Sequence, residues 1–222
     1  LSAAYEAEAS PAAKDAMAQI LINSRLCALG HRPICQDTGI VIAQLKVGMG
    51  LRWEGRRSLQ ALVDEGVRQA YTDPDNILRA SIVDPPIGER RNTGDNTPAI
   101  VHVELVPGDT LEVDLAAKGG GSENKARFAI LNPSASVVDW VLEQLPQMGA
   151  GWCPPGILGI GIGGSAEKAM LMAKAALSQT IDIHELRARG PADPIEAMRL
   201  ELHEKVNALG IGQTHGRKPR CT

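Results

Sequence analysis

The chain has 222 residues, 44% of them hydrophobic and 22% charged, with a formal net charge of -3; this is enough to bury a sizeable core as one large domain or two small ones. The charge balance gives no reason to expect nucleic acid, which requires a basic surface, and scattered Lys and Arg argue against an electrostatic membrane anchor. No apolar run approaches the roughly 18 residues needed to cross a bilayer. The opening residues are Ala-rich and mildly acidic and begin at Leu1. They match neither a signal nor a transit peptide and read as a processed, trimmed or partly disordered start. Four cysteines are present, Cys27, Cys35, Cys153 and Cys221. Without a secretion signal they are expected as reduced thiols of a cytoplasmic protein.

In chain order, Ala13, Met17, Ile20, Leu21 and Ser24 recur on one face and predict a helix over about residues 12–28, closed by Gly30. The β-branched, apolar run 40–49 predicts a strand. Leu59, Leu62, Val63, Val67 and Ala70 predict a helix over about 57–71, followed by a turn at 73–76. Residues 99–106 and 110–116 alternate apolar and polar side chains across Pro107-Gly108-Asp109, which predicts a hairpin. Residues 137–145 read as helical, 157–162 as a strand and 165–177 as helical. A last amphipathic helix over about 196–209 places Met198, Leu202, Val206 and Leu209 on one face. No repeat or low-complexity linker interrupts the chain. The expectation is one α+β domain over 1–222, an antiparallel sheet with a clear hairpin surrounded by helices.

Four segments exceed what core building requires. Cys35-Gln36-Asp37-Thr38-Gly39 gathers a thiol, a carboxamide, a carboxylate and a hydroxyl between a helix and a strand, where sites tend to sit. Asp-Thr-Gly is equally good turn chemistry. Trp152-Cys153-Pro154-Pro155-Gly156 holds a thiol in a rigid, non-helical loop. Cys-Pro is a frequent neighbourhood for iron–sulfur ligands, and a loop with a buried Cys is the plainer alternative. Lys118 is followed by Gly119, Gly120, Gly121, Ser122, Glu123, Asn124 and Lys125. Glycines let the main chain turn its N–H groups on an anion, so this loop suits a small carboxylate or phosphate. The fourth segment, 91–98, is polar and punctuated, and by itself reads as a turn. Gly159, Gly161 and Gly164 also satisfy the dinucleotide fingerprint G-x-G-x-x-G. That fingerprint belongs to alternating βαβ chains, so NAD binding is the minority reading. His215 stands out among the histidines and His31 next; His102, His184 and His203 fit ordinary strand and helix-surface roles. No H-E-x-x-H or C-x-x-C pair supports zinc.

Together, Cys35-Gln-Asp-Thr-Gly, Asn92-Thr-Gly-Asp-Asn-Thr-Pro-Ala, the Gly119–Lys125 loop, Cys153-Pro-Pro-Gly and Asn207-Ala-Leu-Gly-Ile-Gly run in an order that covers nearly the whole chain. In that order they resemble the N-terminal or alpha half of class I fumarate hydratases and the related tartrate dehydratases. The Gly-Ser-Glu-Asn-Lys form looks like the fumarase side. The resemblance implies a [4Fe–4S] cluster on three cysteines, here Cys35, Cys153 and Cys221, with one iron left open for the substrate's carboxylate and hydroxyl. It implies Asp37 and His215 as catalytic residues, Asp37 as a proton carrier. It gives Gln36, Arg79, Gly119, Gly120, Gly121, Ser122, Asn124 and Lys125 to a small dicarboxylate substrate. Cys27 is expected to be a buried non-ligand. Near 212–222 the chain departs from the family pattern, with Cys221 six residues after His215. That spacing reads as a missing stretch or a shortened terminus. The resemblance further implies a beta subunit or C-terminal beta domain, and a homodimer of alpha halves. The activity it implies is reversible hydration of fumarate to malate, with tartrate dehydration or a non-catalytic iron–sulfur module as alternatives.

Overall fold

The structure is a computed structural model that describes residues 1–34, 39–149 and 156–209. The chain forms two compact units, one of residues 23–123 and one of residues 1–22 with 124–222. It opens with α1 (Ser2–Ala7) and α2 (Pro11–Leu29), and the division falls inside α2. At the end of α2, Gly30 N–H donates to Leu26 O, and the left-handed residue is His31.

The unit of residues 23–123 contains β1 (Ile40–Gly48), α3 (Leu59–Thr72), β2 (Val83–Asp84), β3 (Arg91–Asn92), β4 (Ile100–Val106), β5 (Leu111–Lys118) and the single turn α4 (Gly120–Glu123). The α+β class holds, and the two alternating segments form strands where expected. Their pairing differs from the expected hairpin, because the sheet order is β4-β1-β5. β1 runs parallel to β4, from Ile42 beside Ile100 to Gly48 beside Val106. It runs antiparallel to β5, from Ile40 beside Lys118 to Val47 beside Leu111. β1 takes the centre because it is apolar at consecutive positions, with Val41, Ile42, Ala43, Leu45 and Val47 all buried. The 107–110 connection therefore crosses the end of β1, spanning two strand spacings of about 4.8 Å each. Gly48 N–H donates to Thr110 O and Met49 N–H to Val106 O, both at 2.9 Å. A Cβ on Gly48 would lie 2.6 Å from Gly108 O, so this crossing requires a glycine.

Ser58 caps α3 by accepting from Ala61 N–H. From α3, Leu59, Val63 and Val67 pack on Val41, Ala43, Leu45 and Val47, together with Ala99 and Val101. Register places Val103, Leu105, Leu111, Val113 and Leu115 on that same face of the sheet. The opposite face carries Gln44, Lys46, His102, Glu104, Glu112 and Asp114, with Lys46 and Glu112 paired at 2.7 Å.

The other unit contains α5 (Val137–Met148), α6 (Ala166–Ala176), α7 (Ile183–Arg189) and α8 (Pro194–Ala208). Val138, Val141 and Leu145 of α5 meet Leu202 and Val206 of α8, and Leu158, Ile160 and Met198 join them. Residues 157–162 form no strand, contrary to expectation. Their alternation has another cause: Leu158 and Ile160 pack on the α5–α8 core, while Gly159 and Gly161 lie flat on α6. Asp182 accepts from His184 and Glu185 N–H to start α7, a helix that hydrophobic periodicity did not predict. Asp193 and Pro194 start α8 two residues before the expected position. Arg189 pairs with Glu196 to tie α7 to α8. Among the described residues no helix is long and apolar enough to cross a membrane.

Candidate active site

The described part of the site is built around Gly39, where the Cys35–Gly39 segment enters β1. Its φ is +54°, a left-handed value that favours glycine. A Cβ there would lie 1.8 Å from Lys118 O and 2.6 Å from Gly119 Cα. Gly39 thus packs directly on the main chain that opens the glycine loop. From the other side, Nδ2 of Asn96 donates to Gly39 O at 3.1 Å, and Ser81 Oγ donates to the same carbonyl at 3.4 Å. Asn96 is wholly buried, and its Oδ1 accepts from Ser81 N–H at 2.9 Å.

Segment 91–98, which by itself reads as a turn, ties the neighbouring strand of chain down. Asn92 Nδ2 donates to Ala80 O, and Thr93 N–H donates to Ile82 O, both at 2.9 Å. Arg79, an exposed residue, sits at the head of the run so anchored. Asp95 accepts from Thr97 Oγ1 at 2.7 Å, from Thr97 N–H at 3.0 Å and from Arg68 Nε at 3.2 Å. The Thr97 hydroxyl and amide, then Arg68 and Thr93, hold this carboxyl below the ordinary Asp range. Gly39, segment 91–98 and the start of the glycine run, with the stretch that begins at Arg79, therefore meet at one junction inside one unit.

The glycine run is less open than a flexible loop. Residues 120–123 form one helical turn, with Glu123 N–H donating to Gly119 O at 3.1 Å. Lys118 Nζ donates to Ser122 Oγ at 3.0 Å and lies 3.6 Å from Glu123 Oε2, while Ser122 Oγ donates to Gly119 O. The Lys118 charge and the Ser122 hydroxyl thus brace the turn, leaving its first amides without intrahelical acceptors. Asn124 and Lys125 belong to the other unit, where Asn124 O accepts from Arg127.

Cys35, Gln36, Asp37, Cys153, His215 and Cys221 lie outside the described residues. Cys27 is half-buried and donates to Asn23 Oδ1 at 3.6 Å and Pro33 O at 3.4 Å, as a thiol in a structural role would. No group of three or more His, Cys, Asp or Glu suited to a metal occurs among the described residues. A set of three thiolates fits a [4Fe–4S] cluster with one iron open.

The dinucleotide fingerprint has a packing explanation. A Cβ on Gly159 would lie 2.2 Å from Ala173 O, and one on Gly161 1.9 Å from Ala169 O. Both glycines serve contact with the α6 backbone rather than approach to a pyrophosphate. An open groove of about 530 Å³ is lined, among the described residues, by Arg187, Leu200, His203, Glu204 and Asn207, none of them a candidate site residue.

Asn96 and Ser81 were missed by sequence reasoning. Their signal is faint: an Asn inside a polar turn normally bonds locally, as Asn92 does to Gly94 N–H.

The family model described as "Fumarate hydratase (Fumerase)" matches residues 1–220. A Methanocaldococcus jannaschii protein named "Putative L(+)-tartrate dehydratase subunit alpha" is 33% identical over 219 residues, 96% of this chain and 74% of its own length. The L(+)-tartrate dehydratase subunit alpha of Escherichia coli (strain UTI89 / UPEC) is 30% identical over 185 residues, 82% of this chain. The match spans 59% of the Escherichia coli protein's length. That of Shigella sonnei (strain Ss046) is 29% identical over the same number of residues. With a family model spanning almost every residue and a relative of this similarity, the chain belongs to the class I fumarate hydratase family of hydro-lyases.

Proposed function

We propose that the chain is the alpha half of a cytoplasmic iron–sulfur hydro-lyase that interconverts fumarate and malate, with Cys35, Cys153 and Cys221 holding a [4Fe–4S] cluster. The observation that carries this reading is the junction at Gly39. There Gly39 is tied through the buried Asn96 amide to Ser81 of the Arg79 run and packs on the main chain at Lys118 and Gly119, where the glycine turn begins. When bound, the cluster supplies an open, Lewis-acidic iron for the hydroxyl that leaves malate. The chain's own residues do the rest. Arg79, an exposed cation, and the amides of Gly119, Gly120 and Gly121 bind the substrate's carboxylates, with Ser122, Asn124 and Lys125 beside them. Gln36 orients the substrate beside Asp37, which moves the proton next to the carboxylate, and His215 completes the proton path. The names of the relatives, all alpha subunits, support a beta subunit or fused beta domain as partner; the alpha halves pair as a homodimer.

Cys35→Ser and Cys153→Ser, reconstituted anaerobically, are expected to lose the cluster, against about four irons per wild-type chain. Full iron in both variants would contradict the assignment. A second reading follows from the same names: L(+)-tartrate as substrate in place of malate. Parallel assays of the alpha–beta assembly on L-malate and L(+)-tartrate separate the two, and the reading here expects the larger kcat/KM on malate.

A further inference from the structure

Asn96 is the only buried polar residue among the described residues, and it is 0% exposed. Burying a carboxamide is costly unless both its ends are hydrogen-bonded, whereas an apolar side chain fills a core at no such cost. Both ends of this one are bonded, and neither bond is local. Oδ1 reaches Ser81, fifteen residues away, and Nδ2 reaches Gly39, fifty-seven residues away. Asn92 and Asp95 of the same turn also reach distant partners, Ala80 and Arg68, but each keeps a local bond as well, to Gly94 and Thr97, and neither is buried. Asn96 also holds a left-handed φ of 60°, a conformation that Asn tolerates better than most residues.

We propose that Asn96 is a positioning residue: its carboxamide fixes Gly39 against Ser81, and so sets the point from which the Cys35–Thr38 run departs relative to Arg79. This inference rests on the function proposed above. Gly39 cannot yield on its far side, because it already lies against the Lys118 carbonyl. The amide is therefore the clasp that holds Gly39, and with it the start of the glycine turn, in register with the Arg79 run. The bonded pattern also makes Asp a sharp probe. It keeps the shape but sets a carboxylate oxygen against the Gly39 carbonyl in place of a donor. Gly at position 96 removes the amide without straining φ.

The test compares wild type, Asn96→Gly, Asn96→Asp and a core control, Val206→Ala, each assembled with the beta half and reconstituted anaerobically. Three quantities are read: hydrogen exchange of the Ser81 amide, the half-life of the cluster's visible absorbance in air, and kcat against KM on malate. Both Asn96 variants are expected to speed Ser81 exchange and cluster loss at least about tenfold and to lower kcat about tenfold or more. Val206→Ala should leave the cluster's half-life and kcat within about twofold of wild type. A wild type without iron overturns the proposed function and this inference together. A wild type with about four irons, beside Asn96 variants no more labile than Val206→Ala, overturns the inference alone. Should Asn96→Gly fail to fold, the shape-preserving Asp variant decides. Failure of both to fold makes Asn96 a residue of the fold and overturns the proposal.

Discussion

A side chain at position 39 would have to hold a φ of +54° while its Cβ sat 1.8 Å from the Lys118 carbonyl. The left-handed conformation alone costs a non-glycine residue roughly 1–2 kcal/mol, and the clash adds to it. Gly39→Ala is therefore expected to lower stability by more than about 2 kcal/mol in urea unfolding. A loss within experimental error would show that the β1–β5 end does not pack as described. At Cys27 the expectation runs the other way. Its thiol is held by Asn23 and Pro33 within α2 and the turn after it. Cys27→Ser should retain the wild-type iron content, in contrast to Cys35→Ser; a parallel loss of iron would make Cys27 a ligand.

The α7–α8 connection carries a pH dependence that can be measured. The Glu196 carboxyl is held down to about 2, first by the Arg189 guanidinium and then by the Ala192 amide. An unfolded Glu titrates near ~4.3. The folded value lies below the unfolded one, so this pair's stabilisation is complete above about pH 4.3 and is lost as the pH falls toward 2. Glu196→Gln should melt below wild type at pH 7, and the gap should close between about pH 4.5 and 2. A gap constant across that range would exclude the pair as its cause. In the same unit, Gly161→Ala would put a methyl 1.9 Å from Ala169 O. Such overpacking typically costs about 1–3 kcal/mol, read as a lower melting temperature. No change would restore the fingerprint glycines to a ligand role. At this scale the sequence was readable where a pattern is local. α2, α3, α5, α6 and α8 each show their apolar stripe or cap. The hairpin expectation failed because alternation and Pro107-Gly108-Asp109 report only on neighbouring chain, whereas β1 enters the sheet from more than fifty residues upstream. One signal was present: consecutive apolar residues 40–43, the mark of a central strand. Residues 157–162 misled because apolar–glycine alternation arises equally from a segment lying between a core and a helix backbone. α7 offers little beyond its Asp182 cap.

For the whole molecule, the family was legible because motifs in a fixed order constrain a chain more than any one of them, and the match to residues 1–220 agrees with that order. The candidate site was read from residue types at junctions, Cys35 through Gly39 above all, of which Gly39 lies among the described residues. Its clasp was not, since a buried Asn that bridges fifty-seven residues leaves no local trace. The chain spans 74% of one relative and 59% of another, and those relatives are themselves named as alpha subunits. Under the proposed function, activity is expected from an assembly with a beta half. The measurement that bears most directly on the central claim is the rate of fumarate release from L-malate by the anaerobically reconstituted alpha–beta assembly, wild type beside Cys35→Ser. The wild type should turn over, and Cys35→Ser should fall below about 1% of its rate, the scale on which loss of an essential group acts. Equal rates in the two would contradict a mechanism that depends on the cluster at Cys35.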